Sequence, residues 1–284
     1  MEGGSSDVVV RPASRCEVDL VLEWAAQEGW NPGVSDAECF HVTDPEGFLL
    51  ALRDGEPVAS ISVVRYGGDF GFFGLYIVRS DLRGQGYGYR LWRAGMERLE
   101  GRTVGLDGVV AQQDNYRRSG FSLAHRNIRY GGESSIEGPQ DARIRSVEGE
   151  LLGAVLAYDR AFFPAPRASF LRCWLDPNRH QARAFVEAGA VRGYGVLRRC
   201  RTGFKVGPLF AETDEGAEAL FRSLAAEASG EPVFLDVPEP NPAAQALAGR
   251  HGLVPVFETA RMYWGPVPEL PLSRIYGITT FELG

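Results

Sequence analysis

An apolar run, residues 70–78, leads through a short polar stretch into Arg83-Gly84-Gln85-Gly86-Tyr87-Gly88, and an amphipathic stretch follows. A glycine-rich turn between a strand and a helix aims successive backbone N–H groups at one point. The first turn of the helix adds unpaired donors and partial positive charge. Without side chains at Gly84, Gly86 and Gly88, anionic oxygens can approach the backbone, and Arg83 can add a charge-assisted hydrogen bond. The chemistry expected is phosphate binding. The third glycine of G-x-G-x-x-G is missing where a dinucleotide fold needs it, and no Gly-Lys-Ser or Gly-Lys-Thr follows as in a P-loop. Dinucleotides and ATP are therefore disfavoured.

Three segments together resemble the GNAT acetyltransferases: Phe73-Gly74-Leu75-Tyr76-Ile77-Val78, the Arg83 to Gly88 loop, and Tyr116-Arg117-Arg118-Ser119-Gly120-Phe121. The pyrophosphate loop of that family opens with Gln or Arg, has a glycine three residues later and a Gly or Ala two beyond, and the loop here matches throughout. The resemblance covers residues 8–131 in element order, with its specific motifs confined to 73–121. It implies acetyl-CoA as co-substrate and no metal. By the same resemblance, Arg83, Gly84, Gln85, Gly86, Tyr87 and Gly88 would hold the pyrophosphate. The backbone of Tyr76, Ile77 and Val78, splaying from a strand near 104–106, would bond the pantetheine arm and polarise the thioester. Tyr116, four residues before Gly120, would sit beside the sulfur and protonate the leaving thiolate. No base is singled out. Asp69 and Asp107 lie near the splayed strands, whereas Glu28, Asp36, His41 and Asp44 are expected to be solvated or capping residues. Trp30, Asn31 and Phe40 could line an acceptor pocket, with Trp24 expected in the core.

Local signals supply the elements that would position these residues. Ser14-Arg15-Cys16-Glu17 has the pattern of a capping box, and Val18, Leu22 and Ala25 continue a helix until Gly29, before a turn at Trp30-Asn31-Pro32-Gly33. Residues 48–52 and 58–65 flank the turn Arg53-Asp54-Gly55-Glu56 as a hairpin, and 70–78 adds a third strand. Leu91, Trp92, Gly95, Met96 and Leu99 form a helical stripe. A strand at 103–106, a short helix through Tyr116 and a strand at 121–130 complete the unit.

The order then recurs with a helix near 147–159, strands at 182–187, 191–200 and 204–210, a helix through Ala217, Leu220, Phe221 and Leu224, a strand at 233–237, a helix at 243–250 and a strand at 254–263. The expected fold is α/β (α+β), two GNAT-like domains, each a mixed, largely antiparallel twisted sheet flanked by helices. The expected division is 1–135, a linker at 136–142, and 143–284. Ala211-Glu212-Thr213-Asp214-Glu215-Gly216 stands where the first unit has its loop, and its carboxylates would repel a pyrophosphate. Ala248 stands where Tyr116 would be. The second unit is expected to lack the cofactor site, to brace the first, and to wall the acceptor cleft from residues 158–160 through 170–172.

The 284 residues suit two domains, and 44% hydrophobic with 24% charged residues suit a globular chain. The polar first seven residues and the short run Val8-Val9-Val10 offer neither a secretory core nor a membrane span, so a cytoplasmic monomer or homodimer is expected. Scattered Cys16, Cys39, Cys173 and Cys200, with four histidines at no ligand spacing, predict neither a disulfide nor a metal site. A net charge of −7 disfavours nucleic acid. The functional expectation is acetyl transfer to a primary amine of a small molecule. A non-catalytic acyl-CoA-binding module and a peptide or protein acceptor are alternatives, and an aminoacyl-tRNA donor is disfavoured by charge and loop.

Overall fold

The computed structural model describes residues 8–136 and 141–284. The polar segment 1–7 and positions 137–140 of the expected linker lie outside the described residues. The first half runs β1 (Val8–Pro12), α1 (Arg15–Gln27), α2 (Asp36–Thr43), β2 (Phe48–Arg53), β3 (Glu56–Tyr66), β4 (Phe70–Val78), α3 (Tyr87–Arg98), β5 (Thr103–Val109), α4 (Gln113–Arg118) and β6 (Ser122–Glu133). The second runs β7 (Ile144–Ser146), α5 (Glu150–Asp159), α6 (Ala168–Trp174), β8 (Gln181–Glu187), β9 (Ala190–Arg199), β10 (Phe204–Ala211), α7 (Asp214–Ala226), β11 (Pro232–Pro238), α8 (Pro242–Arg250), β12 (Val254–Trp264) and β13 (Ile275–Gly277). The short elements β1, α2, β7, α6 and β13 are not among those expected from the sequence. Both halves share a mixed α/β plan.

Local chemistry sets the element boundaries. Glu17 accepts from the Ser14 N–H at 2.8 Å, satisfying a donor at the start of α1, and Gly29 with φ +79° follows its end. Val18, Val21, Leu22 and Ala25 bury one face of that helix.

The strands join into one sheet in the order β1-β2-β3-β4-β5-β12-β6-β11-β10-β9-β8-β7, with β13 on β10. The closing strands are exchanged. β12, from the second half, pairs antiparallel with β5, whereas β6, from the first, pairs antiparallel with β11, and the two lie side by side. Neither half can therefore complete its sheet alone.

One expectation is corrected: Cys39 on α2 and Cys173 on α6 form a disulfide across 134 residues, Cα–Cα 5.2 Å. Packing of α2 against α6 creates a pairing that sequence spacing does not encode. Among the described residues no helix is long and apolar enough to cross a membrane, and no group of three His, Cys, Asp or Glu side chains could hold a metal ion.

Candidate active site

β4 and β5 run parallel from Phe70 opposite Thr103 to Phe73 opposite Leu106 and then part. β4 also carries a bulge. Gly74 faces Ser62 but Ile77 faces Ser60, so β4 advances three residues while β3 advances two. Leu75 takes φ +46°, and its carbonyl accepts from the Ser60 hydroxyl at 2.9 Å. A left-handed leucine is strained by about 1–2 kcal/mol, so the surrounding strands must hold it there. Gly74 through Val78 and, across the gap, Leu106, Asp107 and Val109 line a cleft of about 400 Å³. The expected splaying of Tyr76, Ile77 and Val78 from β5 thus begins just before Gly74.

Beyond β4 the chain enters the glycine-rich loop. Gly86 is the N-cap of α3 with φ +87°, a conformation that most side chains resist. The first intrahelical bond shown there is Arg90 N–H to the Gly86 carbonyl at 3.2 Å, so the N–H groups of Tyr87, Gly88 and Tyr89 precede it. Gly84, Gln85 and Gly86 are exposed, whereas the Tyr87 side chain packs in the core. A Cβ on Gly88 would come within 2.6 Å of the Tyr76 hydroxyl, so a larger residue there would have to displace the Tyr76 side chain from the cleft wall. Arg83 donates to the Val78 carbonyl at 3.1 Å and pairs with Glu28, placing its charge at the cleft mouth.

Tyr116 lines the same cleft from α4, its ring 5.7 Å from Trp92 and 6.4 Å from Phe121. The Phe121 N–H closes the turn onto the Tyr116 carbonyl at 3.0 Å, helped by Gly120 at φ +91°. The Tyr-to-Phe spacing therefore follows from a helix stop. Burial, with nearby Tyr76 next, raises the Tyr116 phenol well above its ordinary value, and burial pushes Tyr76 up to about 12. Both hydroxyls stay protonated at neutral pH.

The second half walls the rest of the cleft, but not with the segments expected. Phe257 and Thr259 of β12 and Phe281 and Glu282 near the last residue line it beside Trp30. The expected wall is corrected: Asp159 is buried against Arg167 at 2.6 Å, and Phe170 and Leu171 belong to the core. The Trp30 carbonyl accepts from Arg129 and Lys205, each at 3.0 Å, which ties its loop to β6 and β10. Burial, then Arg129 and Arg198, lowers the Lys205 amine to about 8. Asn31 does not line the cleft; it exchanges two 2.9 Å bonds with the backbone of Thr202. Phe40 is corrected too, since it is fully buried and stacked 6.3 Å from Trp174. Trp24 packs against the core.

The carboxylates considered as bases have structural partners or lie elsewhere. Asp36 is fully buried with Arg198 and accepts from the Gly33 N–H at 2.7 Å, so it is neither solvated nor in the cleft. Asp44 pairs with Arg98 at 2.9 Å, and Asp69 is exposed. Asp107 does line the cleft, yet Arg261 grips it at 2.9 and 2.6 Å and Asn127 donates at 2.8 Å. Burial still raises its carboxyl above the ordinary range, while the pair holds Arg261 charged. Glu282 also lines the cleft, and no sequence spacing ties residue 282 to β4. Its backbone carbonyl would lie 2.0 Å from a Cβ on Gly74, which places the terminal segment directly over the bulge.

The second half repeats the strand plan without the opening. β10 runs parallel to β11 from Phe204 opposite Val233 to Val206 opposite Leu235, and then has its own bulge against β9. Where the strands would part, β13 pairs with β10 at Leu209 and Phe210 and fills the gap. Thr213 caps Gly216 N–H at 3.1 Å, and Tyr276 bonds Asp214 at the same helix start. One donor of this helix start, the Gly216 N–H, is thus engaged by the chain itself, carboxylates stand beside it, and Ala248 is buried.

Comparison with known proteins agrees with this geometry. The profile of the acetyltransferase (GNAT) family matches residues 17–121, and that of an acetyltransferase (GNAT) domain matches residues 155–277. A holothin acyltransferase from Pseudoalteromonas sp. (strain SANK 73390) is 32% identical over 275 residues, covering 96% of this chain and 94% of that protein. The fold is shared with an acetyltransferase structure from Pyrococcus horikoshii (TM-score 0.84, 21% identity, 98% of this chain and 96% of that one). It is shared also with a GCN5-related N-acetyltransferase from Sphaerobacter thermophilus (TM-score 0.58, 16% identity, 96% of each chain). The chain belongs to the GNAT superfamily of acyl-CoA-dependent N-acyltransferases, with two GNAT domains in tandem.

Proposed function

We propose that the first half binds acetyl-CoA and that the protein transfers its acetyl group to a primary amine of a small molecule by direct attack in a ternary complex. One observation carries this reading: the gap between β4 and β5 joins a helix N-terminus with free N–H groups to an aromatic-walled cleft. The amides from Gly84 to Gly88, with Arg83, take the pyrophosphate. The backbone of Tyr76, Ile77 and Val78 bonds the pantetheine arm, and a donor at the bulge faces the developing oxyanion, a contact of about 2.7–4 kcal/mol in enzymes where one was removed. Bound acetyl-CoA supplies the activated acyl carbon. Tyr116, protonated at neutral pH, supplies a proton to the departing sulfur. Trp30, Phe257 and Phe281 favour a compact amine with an apolar or aromatic body. The resemblance to an acyltransferase named for holothin supports a small-molecule acceptor.

Calorimetry with acetyl-CoA tests the loop, followed by thiol release with aniline, benzylamine, tryptamine and glucosamine as acceptors. Gly86→Val forces a β-branched residue to φ +87° at the helix start and should weaken acetyl-CoA at least tenfold. Equal binding by wild type and variant would refute the assignment.

A further inference from the structure

Among the described residues three carboxylates line the cleft, and two are already engaged in hydrogen-bonded ion pairs. Glu28 pairs with Arg83 at the mouth, and Asp107 is held by Arg261 and Asn127. Glu282 differs. It is 3% exposed, and its Oε2 is buried with no hydrogen-bond partner among the described residues, although the charges of Arg129, Arg198 and Lys205 act on it through space. The Thr259 hydroxyl, also in the cleft lining, is likewise buried and unpartnered. Unsatisfied buried acceptors are rare because each forfeits its hydration, so two in one cleft point to a ligand that donates hydrogen bonds. The Glu282 backbone packs on Gly74, one residue before the bulge at which the thioester carbonyl would lie.

We propose that Glu282, delivered by the terminal segment of the second half, is the catalytic residue that binds the acceptor amine and takes its proton. This role rests on the acyl-transfer reading above. The amine donates to Glu282, and its lone pair attacks the thioester carbon. As the C–N bond forms, the nitrogen becomes strongly acidic and its proton passes to the carboxylate, which returns it to solvent. The C–S bond breaks, and the thiolate leaves with a proton from Tyr116, which solvent replenishes. No proton is gained or lost overall. The arrangement assigns the second domain a part in the chemistry of the first: it closes its own gap with β13 and sends the following residues across the seam. Tyr66 donates to the Leu283 carbonyl at 3.1 Å, and Thr280 Oγ1 accepts from the Glu282 and Leu283 N–H groups at 3.1 and 2.9 Å, which fixes the segment in place.

The test compares wild type with Glu282→Gln, using the best acceptor among the four amines named above. Acetyl-CoA affinity and melting temperature should stay close to wild type while kcat/KM for the amine falls at least 100-fold. In Glu282→Ala, formate should restore at least tenfold of the lost rate, but it should not help Glu282→Gln. That rescue separates a base from a structural residue and remains readable if the glutamine variant folds poorly. An active wild type with Glu282→Gln within threefold of it, or an alanine variant unresponsive to formate, would overturn the role alone. A wild type that does not bind acetyl-CoA would overturn the parent reading and this role together.

Discussion

Replacing Arg261 by Met removes one member of a buried ion pair that spans the exchanged strands. Arg261 on β12 lies directly opposite Asp107 on β5, and its guanidinium meets the carboxylate through two bonds of 2.9 and 2.6 Å. The side chains are 8% and 0% exposed. After the substitution the carboxylate keeps only the Asn127 donor. Breaking such a pair from one side costs about 3–5 kcal/mol, because a buried charge loses its partner. The guanidinium also lies 5.1 Å from the Phe72 ring, a contact that Met replaces in part. At roughly 2–4 °C per kcal/mol for chains of 150–250 residues, the melting temperature should drop by about 10 °C. The double variant Arg261→Met with Asp107→Leu removes both charges and should recover most of the loss, giving a coupling of about 3 kcal/mol in a double-mutant cycle. Urea unfolding followed by tryptophan fluorescence and by circular dichroism measures both quantities. Since β12 and β6 join the two half-sheets, the two probes should report one shared transition. A single variant within about 1 kcal/mol of wild type, or a double variant no more stable than the single, would refute the reasoning.

Two further outcomes follow from the same structure. Tyr116→Phe should lower turnover about 100-fold, the low end for a positioned general acid, while leaving acetyl-CoA affinity unchanged, and unaltered kcat in steady-state assays would remove the proton-donor role. Glu17, held down to about 2 chiefly by hydrogen bonds from Arg11, is more easily ionised in the folded than in the unfolded chain. Its contribution is therefore present above pH about 4.5 and lost as pH falls towards 2. Glu17→Gln should be less stable than wild type at pH 7, with the gap in denaturant midpoint closing across that window. A gap that does not change with pH would show that the charge is not the cause.

Much of the first half was legible because its signals are local. The run from Arg83 to Gly88 specifies positive φ and a helix start, whatever lies around it. The interval from Tyr116 to Phe121 specifies a helix stop that brings a phenol back towards the preceding strand. Hydrophobic periodicity marked the longer elements in both halves but not the short β1, α2, β7, α6 and β13, and the acidic stretch at residues 211–216 marked the helix start that binds its own side chains. These are properties of backbone dihedrals and nearest neighbours.

Tertiary structure alone decided what those signals leave degenerate. An amphipathic strand such as β6 satisfies its backbone equally against β5 or β11, so its sequence did not announce the exchange with β12. Phe40 has the aromatic character of a pocket wall, but the packing of α2 against α6 buried it and brought Cys39 to Cys173. Carboxylates look alike in a sequence, and only the fold distinguished Asp107, gripped by an arginine more than 150 residues away, from Glu282, whose Oε2 accepts no hydrogen bond among the described residues and whose backbone lies over Gly74. Side-chain type determines which chemistry a residue can perform. Which neighbours compete for its charge and hydrogen bonds depends on long-range contacts, and those exist only once the two half-sheets have closed on each other.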